Sequence, residues 1–209
     1  MHEDLKERLK HLENGYNGKE FWAIVNQVKK DNINDDELLS RIAAINQEKF
    51  RDNVSLRLNI PAGNLLEFAV TIAAVFLALR VSSDWMLYLS ALVLMTTLHP
   101  LSHYMAGSLL GIRFTHYYLN GPARIEPTLK IDYFSYLKAQ GRRRALMHVS
   151  GVLGTVAAPL VVALIALDKG ASDAAMKLVY LFILLVVFEL VTSTKIGDLM
   201  RTRREYAFK

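Results

Sequence analysis

The sequence predicts an all-α polytopic membrane protein. Four transmembrane helices follow a small N-terminal soluble helical bundle, with a short β-containing loop region. Three observations predict this. Hydrophobic residues make up 52% of the 209-residue chain, and they gather in its last two thirds. Four apolar runs approach the roughly 20 residues that cross a bilayer as a helix. The net charge of +5 is unevenly spread: residues 1–60 hold 10 Lys/Arg against 11 Asp/Glu, and residues 61–209 hold 15 against 9. All of the positive excess therefore lies among the spans, where it would meet lipid headgroups. A nucleic-acid partner would call for a basic stripe with interleaved aromatics on a soluble domain, and the sequence has none. The chain has no cysteine. Disulfides and thiolate metal sites are thereby excluded, and any metal must be held by His, Asp or Glu.

The elements follow in order. The first residues are charged and lack an apolar core, so no cleavable leader is expected. Leu5, Leu9 and Leu12 recur at helical spacing across residues 2–13, and Asn14-Gly15 and Asn17-Gly18 break the pattern. Phe21, Trp22, Ile24, Val25 and Val28 give a second amphipathic helix over 19–30. Asn34 has the character of an N-cap, and Asp35, Asp36 and Glu37 suit the positive end of a helix dipole. A third helix to about residue 49 would bury Leu38, Leu39, Ile42, Ala43 and Ile45. Residues 1–53 thus form the soluble region, as a docking module or a solubilising cap, and 54–209 the membrane domain.

Alternation over 54–60 predicts a short strand. Asn64 with Glu67 has the form of a capping box, opening a first span over 64–81 that ends at Arg80. Ser82-Ser83-Asp84 forms a turn, and Trp85 and Tyr88 suit an interfacial anchor. The second span covers 85–110, the third 145–167 and the fourth 177–196. Four spans put both termini on one side, together with the 111–144 loop and its Arg113, Arg124, Lys130, Lys138 and Arg142–Arg144. The tail adds Arg201, Arg203, Arg204 and Lys209. The positive-inside rule makes that side cytoplasmic, in a plasma or inner membrane.

Chemistry concentrates in Leu98-His99-Pro100-Leu101-Ser102-His103-Tyr104. Histidines four apart lie on one helix face, the spacing by which a helix gives a metal two imidazoles. A histidine inside a span is a functional candidate by default. The alternative is a pair of histidines hydrogen-bonded between packed helices. Pro100 stands where a zinc-peptidase helix carries its glutamate base, and it frees the Thr96 carbonyl from the helix ladder. His103 lies roughly 10–12 Å along the helix from Leu110, and Asp198 lies at the same end of the fourth span. His99, His103 and Asp198 would make three protein ligands with one open position, the plan of a catalytic zinc site. Asp198 has a second reading, as a partner of Lys195 or Arg201. His148, near the start of the third span, is an alternative ligand or a polar anchor. Glu189, in the middle of the fourth span, must be protonated, paired or facing a polar cavity, and it is a candidate catalytic base. Glu67 is a cap residue or another base. His116 reads as a solvated loop residue, and Arg142–Arg144 as headgroup contacts.

Over residues 95–205 the chain resembles the site-2 protease family of intramembrane zinc metalloproteases. Leu98 through Gly107, with Leu110-Gly111-Ile112-Arg113, is similar to the family's His-Glu-x-x-His helix and the Gly-Ile/Val-Arg after it. Arg143-Arg144-Ala145 resembles the lead into a span that carries Ala-Gly-Pro-x-x-Asn. Lys195-Ile196-Gly197-Asp198 stands at the place of the Asp-Gly motif. The resemblance implies His99, His103 and Asp198 as zinc ligands and a membrane-associated β region over 111–140 that presents substrate. The chain departs from the family in three places: Pro100 for the glutamate, Val152–Thr155 for Pro-x-x-Asn, and a glycine that precedes Asp198. The implied function is a zinc-dependent intramembrane endopeptidase with a non-standard base, acting on a membrane-protein or peptide substrate. The alternative is a catalytically inactive member that binds or scaffolds membrane clients. A transporter would also use intramembrane His and acidic residues, but no inverted repeat is evident.

Overall fold

The computed structural model describes residues 2–81, 83–121, 125–192 and 197–208. Three amphipathic helices come first: α1 (His2–Asn14), α2 (Gly18–Lys30) and α3 (Asp36–Asn53). Asn17 caps α2 by accepting from the Lys19 and Glu20 amides. Asp35, not Asn34, caps α3, because its carboxylate reaches the amides of Glu37 and Leu38. The third helix also runs past residue 49, to Asn53. The apolar faces meet in one cluster of Leu5, Leu9, Phe21, Ile24, Leu38 and Ile42. That cluster continues into Ile112, Tyr136, Leu137 and Met147, so the three helices share a core with the elements around the candidate site.

Four long helices follow: α4 (Ile60–Arg80), α5 (Asp84–Leu109), α7 (Gly141–Asp168) and α8 (Ser172–Thr192). All four are long and apolar enough to cross a membrane. The expected strand over 54–60 contracts to β1 (Arg57–Asn59), and α4 starts at Ile60, four residues before the expected cap. The reason is that Asn59 accepts from the Ala62 amide while Pro61 fills the first turn, where no donor is needed. Asn64 instead accepts from the Tyr117 hydroxyl at 2.8 Å. Glu67 lies buried two turns inside α4 and does not belong to the cap.

Between α5 and α7 lie β2 (Phe114–Asn120), β3 (Glu126–Ile131) and the short α6 (Tyr133–Lys138). β1, β2 and β3 form an antiparallel sheet in that order. His116 is therefore a strand residue opposite Asn59 and Lys130, half-buried against Phe50, and not a solvated loop residue. The chain ends in α9 (Asp198–Ala207), a helix the sequence reading missed. It is polar nearly all round and has no apolar stripe to betray it. Asp198 opens this separate helix and is not the end of the fourth span. Ser82, Arg124, the end of the expected fourth span with Lys195 and Ile196, and Lys209 lie outside the described residues.

Candidate metal centre

α5 and α7 are brought close by two glycines one turn apart on α7. A Cβ on Gly154 would lie 2.5 Å from the Leu98 carbonyl oxygen of α5. A Cβ on Gly151 would lie 2.5 Å from Cε1 and 2.7 Å from Cδ2 of His103, with Nε2 closer still. Glycine here leaves room for an imidazole between two helix backbones. α5 continues through Pro100 as one helix. Neither nearby threonine side chain bonds to the carbonyl that the proline frees: the Thr96 hydroxyl donates to Val93 O, and Thr97 pairs with Thr71 of α4.

The two imidazoles are oriented by their Nδ1 atoms. His103 Nδ1–H donates to the Met147 carbonyl at 2.7 Å, since a carbonyl only accepts. The Thr155 hydroxyl donates to Gly151 O at 3.2 Å and therefore accepts from His99 Nδ1–H at 2.9 Å. With both Nδ1 atoms protonated, both Nε2 lone pairs are left for one carboxylate. Asp198 Oδ2 lies 3.3 Å from His99 Nε2 and 3.1 Å from His103 Nε2. Backbone or hydroxyl acceptors behind ligating imidazoles are the usual outer support of a metal site.

Two nitrogen lone pairs and an anionic oxygen this close repel one another unless something positive lies between them. An extra proton on one imidazole would serve one of the two contacts, whereas a cation at the centre serves both. Ligands about 2.0–2.1 Å from a tetrahedral zinc are separated by about 3.3–3.4 Å, close to the distances observed. The ligand atoms of His99, His103 and Asp198 all lie within 4.8 Å of one another. These three residues could therefore hold a metal ion, and two imidazoles with a carboxylate are donors that suit zinc.

His148 does not share that oxygen. Its Nδ1 lies 3.6 Å from the other one, Asp198 Oδ1, while its Nε2 is 2.9 Å from the Tyr136 hydroxyl. Arg201 also reaches Oδ1, at 3.3 Å. The carboxylate thus turns one oxygen to the histidine pair and is held by the other, which places His148 behind the ligand set. Burial raises the affinity of Asp198 for a proton, but its contacts with His103, His148 and His99 outweigh that and hold the group well below the usual carboxylate range.

Asp198 reaches this place because α9 lies antiparallel along the first half of α7. Asp198 faces His148, the Thr202 hydroxyl approaches the Ala145 carbonyl at 3.4 Å, Glu205 pairs with Arg144, and the backbone of Phe208 lies on Gly141. Gly197 makes the turn into α9 with φ 93° and ψ −179°, a conformation essentially confined to glycine. A glycine ahead of the aspartate has this structural use. Arg142 and Arg143 are exposed, but Arg144 is buried on Glu205 and is not a headgroup contact.

A cavity of about 360 Å³ opens at the centre. His99, His103 and Asp198 line it, with Glu189 of α8, Arg201 and the β3 residues Glu126 to Leu129. Among the described residues that line it, Glu67 is not one. Sequence reasoning missed Thr155, Gly151, Met147 O and Tyr136. Of these, only the Gly151-x-x-Gly154 spacing was a visible signal, as a pair of small residues on a span. No protein-family model, curated protein or solved structure matches the chain.

Proposed function

We propose that the protein is a zinc-dependent intramembrane endopeptidase of the site-2 protease kind, with His99, His103 and Asp198 as ligands. The observation that carries this is the convergence of two Nε2 lone pairs on one carboxylate oxygen, each imidazole fixed from behind by an acceptor on α7. Bound zinc supplies Lewis-acid polarisation of a carbonyl and acidification of water to a pKa of about 7.

The chain's own residues supply the rest. Pro100 leaves no base on α5, and Glu189, across the same cavity, takes the proton from water and returns it to the leaving amine. Arg201 neutralises Asp198 Oδ1. β3 borders the cavity and, as the outer strand of the sheet among the described residues, is the strand that an extended substrate segment would pair with. Four apolar helices support membrane insertion. Contact between α2 and α9 agrees with both ends of the chain lying on one side, assigned to the cytoplasm by the basic loop and tail.

The buried proline at the usual glutamate position favours a second reading, a zinc-bearing protein that binds membrane clients without cutting them. Metal analysis of purified protein against His99→Ala and Asp198→Ala tests the centre, and absence of stoichiometric zinc in the wild type would refute it. Cleavage of single-span reporters in proteoliposomes then separates the two readings. The enzyme reading expects turnover that falls about 10²–10⁴-fold in Glu189→Gln. Full zinc occupancy without cleavage favours the client-binding reading.

A further inference from the structure

Glu205 is the one buried side chain of α9 among the described residues, and its carboxylate is fully buried between two cations from other helices, while the half-exposed Arg204 of α9 itself lies 3.6 Å from one oxygen and moves with it. Lys29 Nζ of α2 lies 2.6 Å from one oxygen and Arg144 Nε of α7 2.7 Å from the other. Lys29 and Arg144 are themselves 2% and 4% exposed at the side chain. Taking three charges out of water is costly, and apolar packing would often hold two helices as well. What an ion cluster adds is a single allowed register, because any slip of α9 along α7 leaves a buried charge unpaired. α9 has no buried apolar anchor to set that register in its place.

The register matters because Asp198, Thr202 and Glu205 lie on one face of α9, spaced i, i+4 and i+7. A one-residue slip would carry Asp198 about 1.5 Å along the axis, well beyond the roughly 0.2 Å tolerance of a metal–ligand distance. The same cations also lie over Tyr136, with Lys29 Nζ 4.9 Å and Arg144 Cζ 5.6 Å from the ring centroid. The Tyr136 hydroxyl holds His148, which faces Asp198 Oδ1. A second lysine ties the N-terminal helices to the opposite wall of the cavity. Lys130 of β3, buried, donates to the side chain of Asn46 in α3.

We propose that the Lys29–Glu205–Arg144 cluster is a positioning device through which the N-terminal helices control the metal centre. Glu205 fixes the place of Asp198, and Lys29 makes that place depend on α2 being docked. The proposal rests on the metal reading for its consequence and on the packing of α2, α7 and α9 for its geometry. Coupling of this kind is reciprocal: zinc at the histidine pair must also hold α2 in place.

The test uses the full chain in detergent micelles. Zinc affinity is read by competition with a chromophoric chelator, and coordination by the visible absorption of the cobalt(II) form. Lys29→Met and Glu205→Gln should each weaken zinc binding about tenfold and alter the cobalt spectrum, and Lys29→Arg should restore both. In the wild type, zinc should slow amide exchange in α2, and in Lys29→Met it should not. Wild-type affinity and spectrum in both variants would overturn the proposal. Should a variant fail to fold, the wild-type exchange result decides alone, and α2 amides indifferent to zinc overturn it. If the wild type binds no zinc, the metal reading fails and the clamp is judged on the imidazole ¹⁵N resonances of His103 and His148. A change in Lys29→Met supports the clamp, and identical resonances overturn it.

Discussion

Gly151→Ala is the sharpest perturbation of the proposed centre, because it adds one methyl group beside the ring of His103, one of the proposed ligands. The new Cβ would lie 2.5 Å from His103 Cε1, where ordinary contact begins near 3.4 Å. The ring must therefore retreat by about 0.9 Å, and further at Nε2. Metal–ligand distances tolerate about 0.2 Å, and the same retreat strains the 2.7 Å bond from Nδ1–H to Met147 O. The expected loss is about 100-fold in zinc affinity, or ~2.7 kcal/mol. The fold should survive, since the obstructed atoms end a side chain that can swing toward the 360 Å³ cavity. Gly154→Ala is the contrasting control. Its Cβ meets the Leu98 carbonyl, which is backbone and cannot turn aside, so α5 and α7 must separate at a cost of ~1–3 kcal/mol. Chelator competition and thermal melting of the two variants, side by side, provide the measurement. Stoichiometric zinc in Gly151→Ala at wild-type affinity would refute the placement of His103 Nε2 in the ligand set.

Three further outcomes follow from the same geometry. Thr155→Val removes the acceptor that orients His99 and should weaken zinc about tenfold in the same competition assay, with melting shifted little. Gly197→Val forces a β-branched residue to φ 93° and should cost ~1–3 kcal/mol, read as a lower melting temperature with α9 amides exchanging faster. Burial lowers the pKa of Lys130 to about 8, against about 10.4 in an unfolded chain. Between those values the unfolded chain binds the extra proton, so the Lys130 contribution to stability rises with pH. The wild type should therefore gain on Lys130→Met as pH climbs from 8 toward 10, in denaturant titrations, and a flat difference would contradict the burial of that amine.

The four long helices and the three amphipathic ones were legible in the sequence because apolar area dominates their energetics and has a period. Leu5, Leu9 and Leu12, or Phe21, Ile24 and Val28, declare a buried face with no knowledge of what covers it. The histidine pair was legible for a related reason: both residues lie on one helix, so their spacing alone places them on one face. Tertiary structure decided what chain separation hides. Asp198 meets imidazoles some 95 residues away because α9 lies along α7, a helix held by a buried carboxylate, a glycine turn and a backbone contact on Gly141. None of these leaves a periodic trace. Arg144 sits in a run of three arginines that reads as surface, and only the arrival of Glu205 and Lys29 makes it a buried partner. Thr155 and the Met147 carbonyl fix the imidazole tautomers from another helix, and a carbonyl has no letter in the sequence. A hydrophobic face is a property of one segment, whereas a ligand set is a property of distances between segments, which the fold alone sets.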